Sequence, residues 1–126
     1  MSTQTDPFGH AIILGLFNSP LYEIHRLLNA QSGADVSPEV AAAVNKLTEE
    51  DKAALRGELA RIVSSSIEHF IYGLDRAADT IDGLKVTYDR KPLTDGDFAF
   101  GRDYPKWKTQ FGHYNDKGEP NEKAFQ

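Results

Sequence analysis

Apolar residues recur at steps of three and four between Thr48 and Thr80: Leu55, Leu59, Ile62, Val63, Ile67, Phe70, Ile71, Leu74 and Ala78, continuing to Ile81. This is the period of one helix face, so residues 48–80 are predicted to form one long amphipathic helix. Its ends carry matching chemistry. Thr48 is a capping residue, Glu49, Glu50 and Asp51 place negative charge on the first turn, and Gly83 offers a left-handed stop. Gly57 and Gly73 interrupt the run at about 1 kcal/mol each relative to alanine, which a kink or a close helix contact would explain.

Three helix starts are predicted upstream from a short polar residue followed by proline: Asp6-Pro7, Ser19-Pro20 and Ser37-Pro38. The polar side chain accepts a hydrogen bond from an otherwise unpaired N–H, and proline sits where its missing N–H costs nothing. Each start is followed by apolar residues at helical spacing: Ile12, Leu16 and Phe17; Leu21, Ile24 and Leu28; Val40, Val44 and Leu47. The second of these helices is expected to stop before Gly33.

Beyond Gly83 the pattern changes to alternation. Leu84 to Tyr88 reads as a short strand, Asp89 to Pro92 as a turn, and a small β-hairpin through Leu93 follows. Thr94 to Asp97 is a second turn, Phe98, Phe100 and Tyr104 alternate, and Pro105 to Phe111 reads as a short helix stopped at Gly112. Residues 115–126, rich in Asn, Asp, Lys, Gly and Pro, have the composition of a loose tail.

Composition reinforces this division near Thr80. Residues 1–79 hold 11 of the 13 alanines and five aromatics, whereas residues 80–126 hold eight aromatics and two alanines. The front is therefore read as helical (1–80), with a hairpin and aromatic irregular segment (81–114) packed on it, all within one domain of 126 residues. The expected fold class is mainly α: a helical bundle around the long helix.

The long helix carries a second stripe. Arg61, Ser65, Glu68, Tyr72, Asp75 and Asp79 also follow four-three spacing and line a face away from the apolar one. Tyr72 stands out there. Either the aromatic back half folds over it, or Glu68, Tyr72 and Asp75 form an acidic recognition surface for a basic partner. A second candidate contact lies in the aromatic segment, where Arg102, Lys106 and Lys108 interleave with Tyr104, Trp107 and Phe111. Cations beside aromatics can grip single-stranded nucleic acid, but Trp107 and Phe111 at four apart fit a docked amphipathic segment better, and Trp107 also fits a protein-binding hot spot. The partner-binding candidates are thus Glu68, Tyr72, Asp75, Tyr104 and Trp107.

Net charge and motifs narrow the function classes. With 19 acidic and 14 basic side chains the formal charge is -5, against the basic excess of nucleic-acid binders. Without cysteine there is no thiolate metal site and no cysteine nucleophile. His10, His25, His69 and His113 lie on four segments without a histidine or carboxylate three or four residues away inside a helix, so HExxH and Glu-x-x-His metal patterns are absent. Asp89, Asp95, Asp97 and Asp103 crowd one stretch, yet Lys91 and Leu93 occupy EF-hand ligand positions before Gly96. Ser64, Ser65 and Ser66 lack a GxSxG elbow, and neither phosphate-cradling glycine motif occurs. No cofactor or metal is expected. The apolar run Ala11 to Phe17 is too short to span a membrane and Met1 to Asp6 carries no basic residue, so the expectation is a cytoplasmic chain without a membrane partner.

These observations point to a small soluble non-catalytic protein-binding module, of the kind that inhibits or neutralises a partner, with a homodimer also compatible. The alternative is a small enzyme or ligand-binding protein using carboxylates of the 89–103 stretch with His69 or His113.

Overall fold

The computed structural model describes residues 6–29, 36–80, 87–88, 91–92 and 99–125. Within them the chain is mainly helical: α1 (Asp6–Ile12), a π-helical turn (Ile13–Asn18), α2 (Ser19–Leu28), α3 (Pro38–Asn45), α4 (Glu49–Thr80) and α5 (Ala99–Phe111). Strands β1 (Thr87–Tyr88) and β2 (Lys91–Pro92) pair antiparallel over two residues each. The sequence places Lys91 and Pro92 in the turn of a hairpin running from Leu84 through Leu93, whereas they pair here with Tyr88 and Thr87; the rest of that stretch, and the stop expected at Gly83, lie outside the described residues.

The helix α4 begins as its sequence predicts. The Thr48 hydroxyl accepts from Asp51 N at 3.0 Å, and the three acidic residues follow on the first turn. Ser37 likewise caps α3, accepting from Val40 N at 3.3 Å with Pro38 at the first helical position. Ser19-Pro20 behaves differently. It does not start a helix: Asn18 and Ser19 both have right-handed helical backbone, and α1, the π turn and α2 run on as one rod. The wide turn explains how. Ser19 N donates five residues back to Leu14 O, and the Ser19 hydroxyl donates to the same carbonyl at 3.1 Å. Opening the ladder by one residue just before Pro20 relieves both the missing donor and the clash of its ring with the preceding turn.

The aromatic segment is helical rather than irregular. The helix α5 spans 13 residues with Pro105 inside it and lies against both α4 and α1. Trp107 and Phe100 are fully buried, and with Phe8 they form an aromatic cluster whose centroids are 4.6 to 6.1 Å apart. Gly9 lies flat on the Trp107 indole, so closely that a Cβ there would occupy the ring. Ile12, Ile13, Phe17 and Leu21 from the first rod and Ala60, Ile67 and Ile71 from α4 complete the core.

The loose tail expected over 115–126 is instead folded as far as residue 125. Asn115 Oδ1 accepts from Lys117 N and Glu119 N, both at 2.9 Å, and Gly118 takes the left-handed conformation (φ 77°) that closes the turn. Tyr114 bridges to Pro120, and a 3-10 turn follows over Glu122–Phe125. This loop packs on α4: a Cβ on Gly118 would meet Arg56 Cγ at 2.8 Å and Ala60 Cβ at 3.2 Å. Lys123 Nζ then donates to Thr109 O and Gln110 O, satisfying carbonyls at the end of α5. Among the described residues, no helix is long and apolar enough to cross a membrane.

One expectation about α4 holds for half of its apolar face. Ile67 and Ile71 enter the core, but Leu55, Ile62 and Phe70 remain 40%, 46% and 47% exposed. The apolar arc is wider than one layer of neighbours covers.

Candidate functional site

A cleft of about 720 Å³ opens between α4 and the first half of α5, lined by Glu68, Ile71, Tyr72, Asp75, Gly101, Arg102, Tyr104 and Pro105. Four of the five residues singled out from the sequence therefore meet in one place. The fifth, Trp107, does not: it is wholly buried in the core, a structural anchor and not a contact surface.

The floor of the cleft is Asp75. Only 1% exposed, its carboxylate accepts from Phe100 N at 3.3 Å and Gly101 N at 3.0 Å, N–H groups in the first turn of α5. Those donors have no partner inside their own helix, and the positive end of the helix dipole offsets the buried charge. Asp75 thus fixes the angle between the two helices, and this corrects its assignment to an exposed acidic surface.

Tyr104 forms the inner wall. It is 2% exposed, and its hydroxyl shares a 2.8 Å hydrogen bond with Ser64. Burial pushes its pKa above the ordinary tyrosine value; the Ser64 hydrogen bond works in the opposite direction, and the charges of Glu68 and Asp116 add to the rise. A neutral hydroxyl is the favoured form. Lys108 lies beside it, its Nζ 5.5 Å from the Tyr104 ring centroid, 3.4 Å from Ser64 Oγ and 2.7 Å from Asp116 Oδ1. Ser64, Lys108 and Asp116, with Arg61, Ser65 and Glu68, line a smaller polar depression of about 350 Å³. Glu68 therefore stands on the ridge between two depressions.

Tyr72 is the exposed rim. Half of its surface (52%) faces outward although Arg76 holds its hydroxyl at 3.0 Å and lies over its ring at 5.7 Å. Among the described residues, the back half does not bury it.

Two further features escaped the sequence pattern. An apolar groove of about 450 Å³ runs between Leu16 and Pro20 on one side and Ile62, Val63, Ser66, Ile67 and Phe70 on the other. Asn18, 6% exposed, donates to Phe111 O at 3.1 Å and accepts from His113 N at 2.8 Å, tying the π turn to the end of α5. The π turn also borders a depression of about 540 Å³ with Tyr22, Glu23 and His113. Neither arrangement follows from local spacing, because each joins residues distant along the chain.

For the alternative enzyme reading, Asp89, Asp95 and Asp97 lie outside the described residues, and Asp103 is buried with Arg102 Nε at 3.5 Å. Among the described residues, no group of three or more His, Asp or Glu side chains is placed to hold a metal ion. Comparison with protein-family models, curated proteins and solved structures finds no match to this chain.

Proposed function

We propose that the chain is a protein-binding module of the kind that neutralises a partner, and that the partner inserts a basic side chain into the α4–α5 cleft. The observation that carries this reading is the convergence of Glu68, Tyr72 and Tyr104 around one opening whose floor, Asp75, is already committed to the fold. An exposed carboxylate flanked by aromatic surface suits an incoming lysine or arginine, through charge and through its aliphatic stem. The Tyr104 hydroxyl is neutral and committed to Ser64, and its ring supplies the inner wall.

Affinity capture from the native host tests the proposal with wild type, Glu68→Lys and Tyr72→Ala, each checked for wild-type helicity. The expected result is a common partner in the wild-type eluate that falls by about tenfold or more in both variants, as for residues in a binding hot spot. Undiminished recovery of the same proteins by both variants contradicts it.

A further inference from the structure

The uncovered half of the α4 apolar face has a directional pattern. Leu55, Ile62, Ser66 and Gly73 lie one above another at steps of seven, four and seven, so they form a seam along one edge of the helix. The two large residues come first and the two small ones last. Leu55 and Ile62 are 40% and 46% exposed, Ser66 is exposed, and an added Cβ on Gly73 would meet nothing within 4 Å. A helix-interior glycine costs stability, and nothing among the described residues accounts for this one by close packing. Leu16, 42% exposed, widens the apolar seam from the neighbouring rod.

We propose that the chain pairs with a second copy of itself through antiparallel α4 helices about a two-fold axis. The seam is self-complementary in that orientation. Leu55 of one copy meets Gly73 of the other and Ile62 meets Ser66, because both pairs are symmetric about position 64. Charge follows nearly the same symmetry, centred between positions 63 and 64. Along the adjacent edge, Asp51 and Glu58 precede the seam's centre, while His69 and Arg76 follow it at the same spacing of seven. Antiparallel pairing therefore brings Asp51 near the second copy's Arg76, which also holds Tyr72 in its own chain, and Glu58, paired with Arg61 in its own chain, near the second copy's His69; parallel pairing would set Asp51 against Asp51 and Arg76 against Arg76. The seam itself carries no charge. The seam is separate from the cleft, since Leu55, Ile62 and Gly73 do not line it, while Arg76 on the adjacent edge also holds the Tyr72 hydroxyl at the cleft rim.

Light scattering coupled to size-exclusion chromatography on the full chain, between about 1 and 200 μM, covers micromolar association. Wild type is expected to run as a dimer and Ile62→Glu as a monomer of unchanged helicity. A monomeric wild type, or a dimer untouched by Ile62→Glu, overturns the proposal. Orientation is read by cross-linking, because the natural chain has no cysteine. The Leu55→Cys/Gly73→Cys variant should oxidise to a covalent dimer; its two positions are about 27 Å apart within one helix and cannot join internally. Cross-linking of Leu55→Cys alone with equal yield overturns the antiparallel register. Edge complementarity has its own readout: Asp51→Arg/Glu58→Lys and His69→Glu/Arg76→Glu should each self-associate about tenfold more weakly than wild type, and their mixture should regain the dimer. Failure of the mixture to recover overturns the charge pairing.

Discussion

The Asp75 carboxylate on α4 accepts the N–H of Gly101 at 3.0 Å and holds the start of α5 from another helix. A side chain 26 positions away thus performs the service that a local cap usually provides. Because the same contact sets the floor of the cleft, fold and candidate site share one residue.

Asp75→Ala leaves the buried N–H groups of Phe100 and Gly101 without this acceptor, and is expected to cost about 2–3 kcal/mol in urea unfolding. Asp75→Asn keeps one acceptor oxygen and should cost less. Equal stability of Asp75→Ala and wild type would remove the proposed tie between the helices.

Gly9→Ala places a methyl group where the Trp107 indole lies. Overpacking of a filled core is expected to lower stability by about 3 kcal/mol, with altered tryptophan fluorescence in the folded state. Trp107→Ala should cost about 4 kcal/mol by leaving a cavity, so reduced partner binding by that variant reports unfolding and not a lost contact.

Asn18→Ala removes the donor to Phe111 O and the acceptor for His113 N together. A loss of about 2 kcal/mol is expected, accompanied by faster hydrogen exchange at the end of α5. Exchange unchanged there would show that the π turn does not restrain that end.

Raised pKa values give Tyr104 and Tyr114 a testable alkaline signature. For a tyrosine, a folded-state value above the unfolded one means that the folded protein favours the protonated form. Their contribution is therefore complete below the unfolded value of about 10 and declines as pH rises through the folded value. Thermal melts across this range should show the decline weakened in Tyr104→Phe. That variant also loses the Ser64 hydrogen bond, for a pH-independent cost near neutrality of about 1 kcal/mol. An identical alkaline decline in wild type and variant would count against Tyr104 as a contributor.

Much of the helical layout is legible in the sequence where local chemistry decides it. Thr48 and Ser37 cap the helices they precede because capping needs only a side-chain oxygen and an N–H three residues on. Ser19-Pro20 carries the same signature but sits inside a rod, since a π turn accommodates the proline without ending the helix. The Asn115–Gly118 turn was hidden by its polar composition, although Asn at its start and Gly in the left-handed position are turn chemistry. Spacing brings Glu68, Tyr72 and Asp75 to one side of α4 and the structure adds Tyr104 beside them, but periodicity cannot tell that Asp75 points at another helix's N-terminus. Nor can it tell which half of a broad apolar arc is covered. Ile67 and Leu55 look alike in sequence, and only packing separates them.

A photo-reactive amino acid placed at Tyr72 in the native host tests the cleft most directly, with Glu39 on α3 as a control position. Irradiation is predicted to yield a discrete adduct from position 72, joined to a partner segment bearing lysine or arginine within a residue or two of the link, with little from position 39. Absence of an adduct at 72, or equal labelling from both positions, would contradict the assignment of the α4–α5 cleft as the binding face.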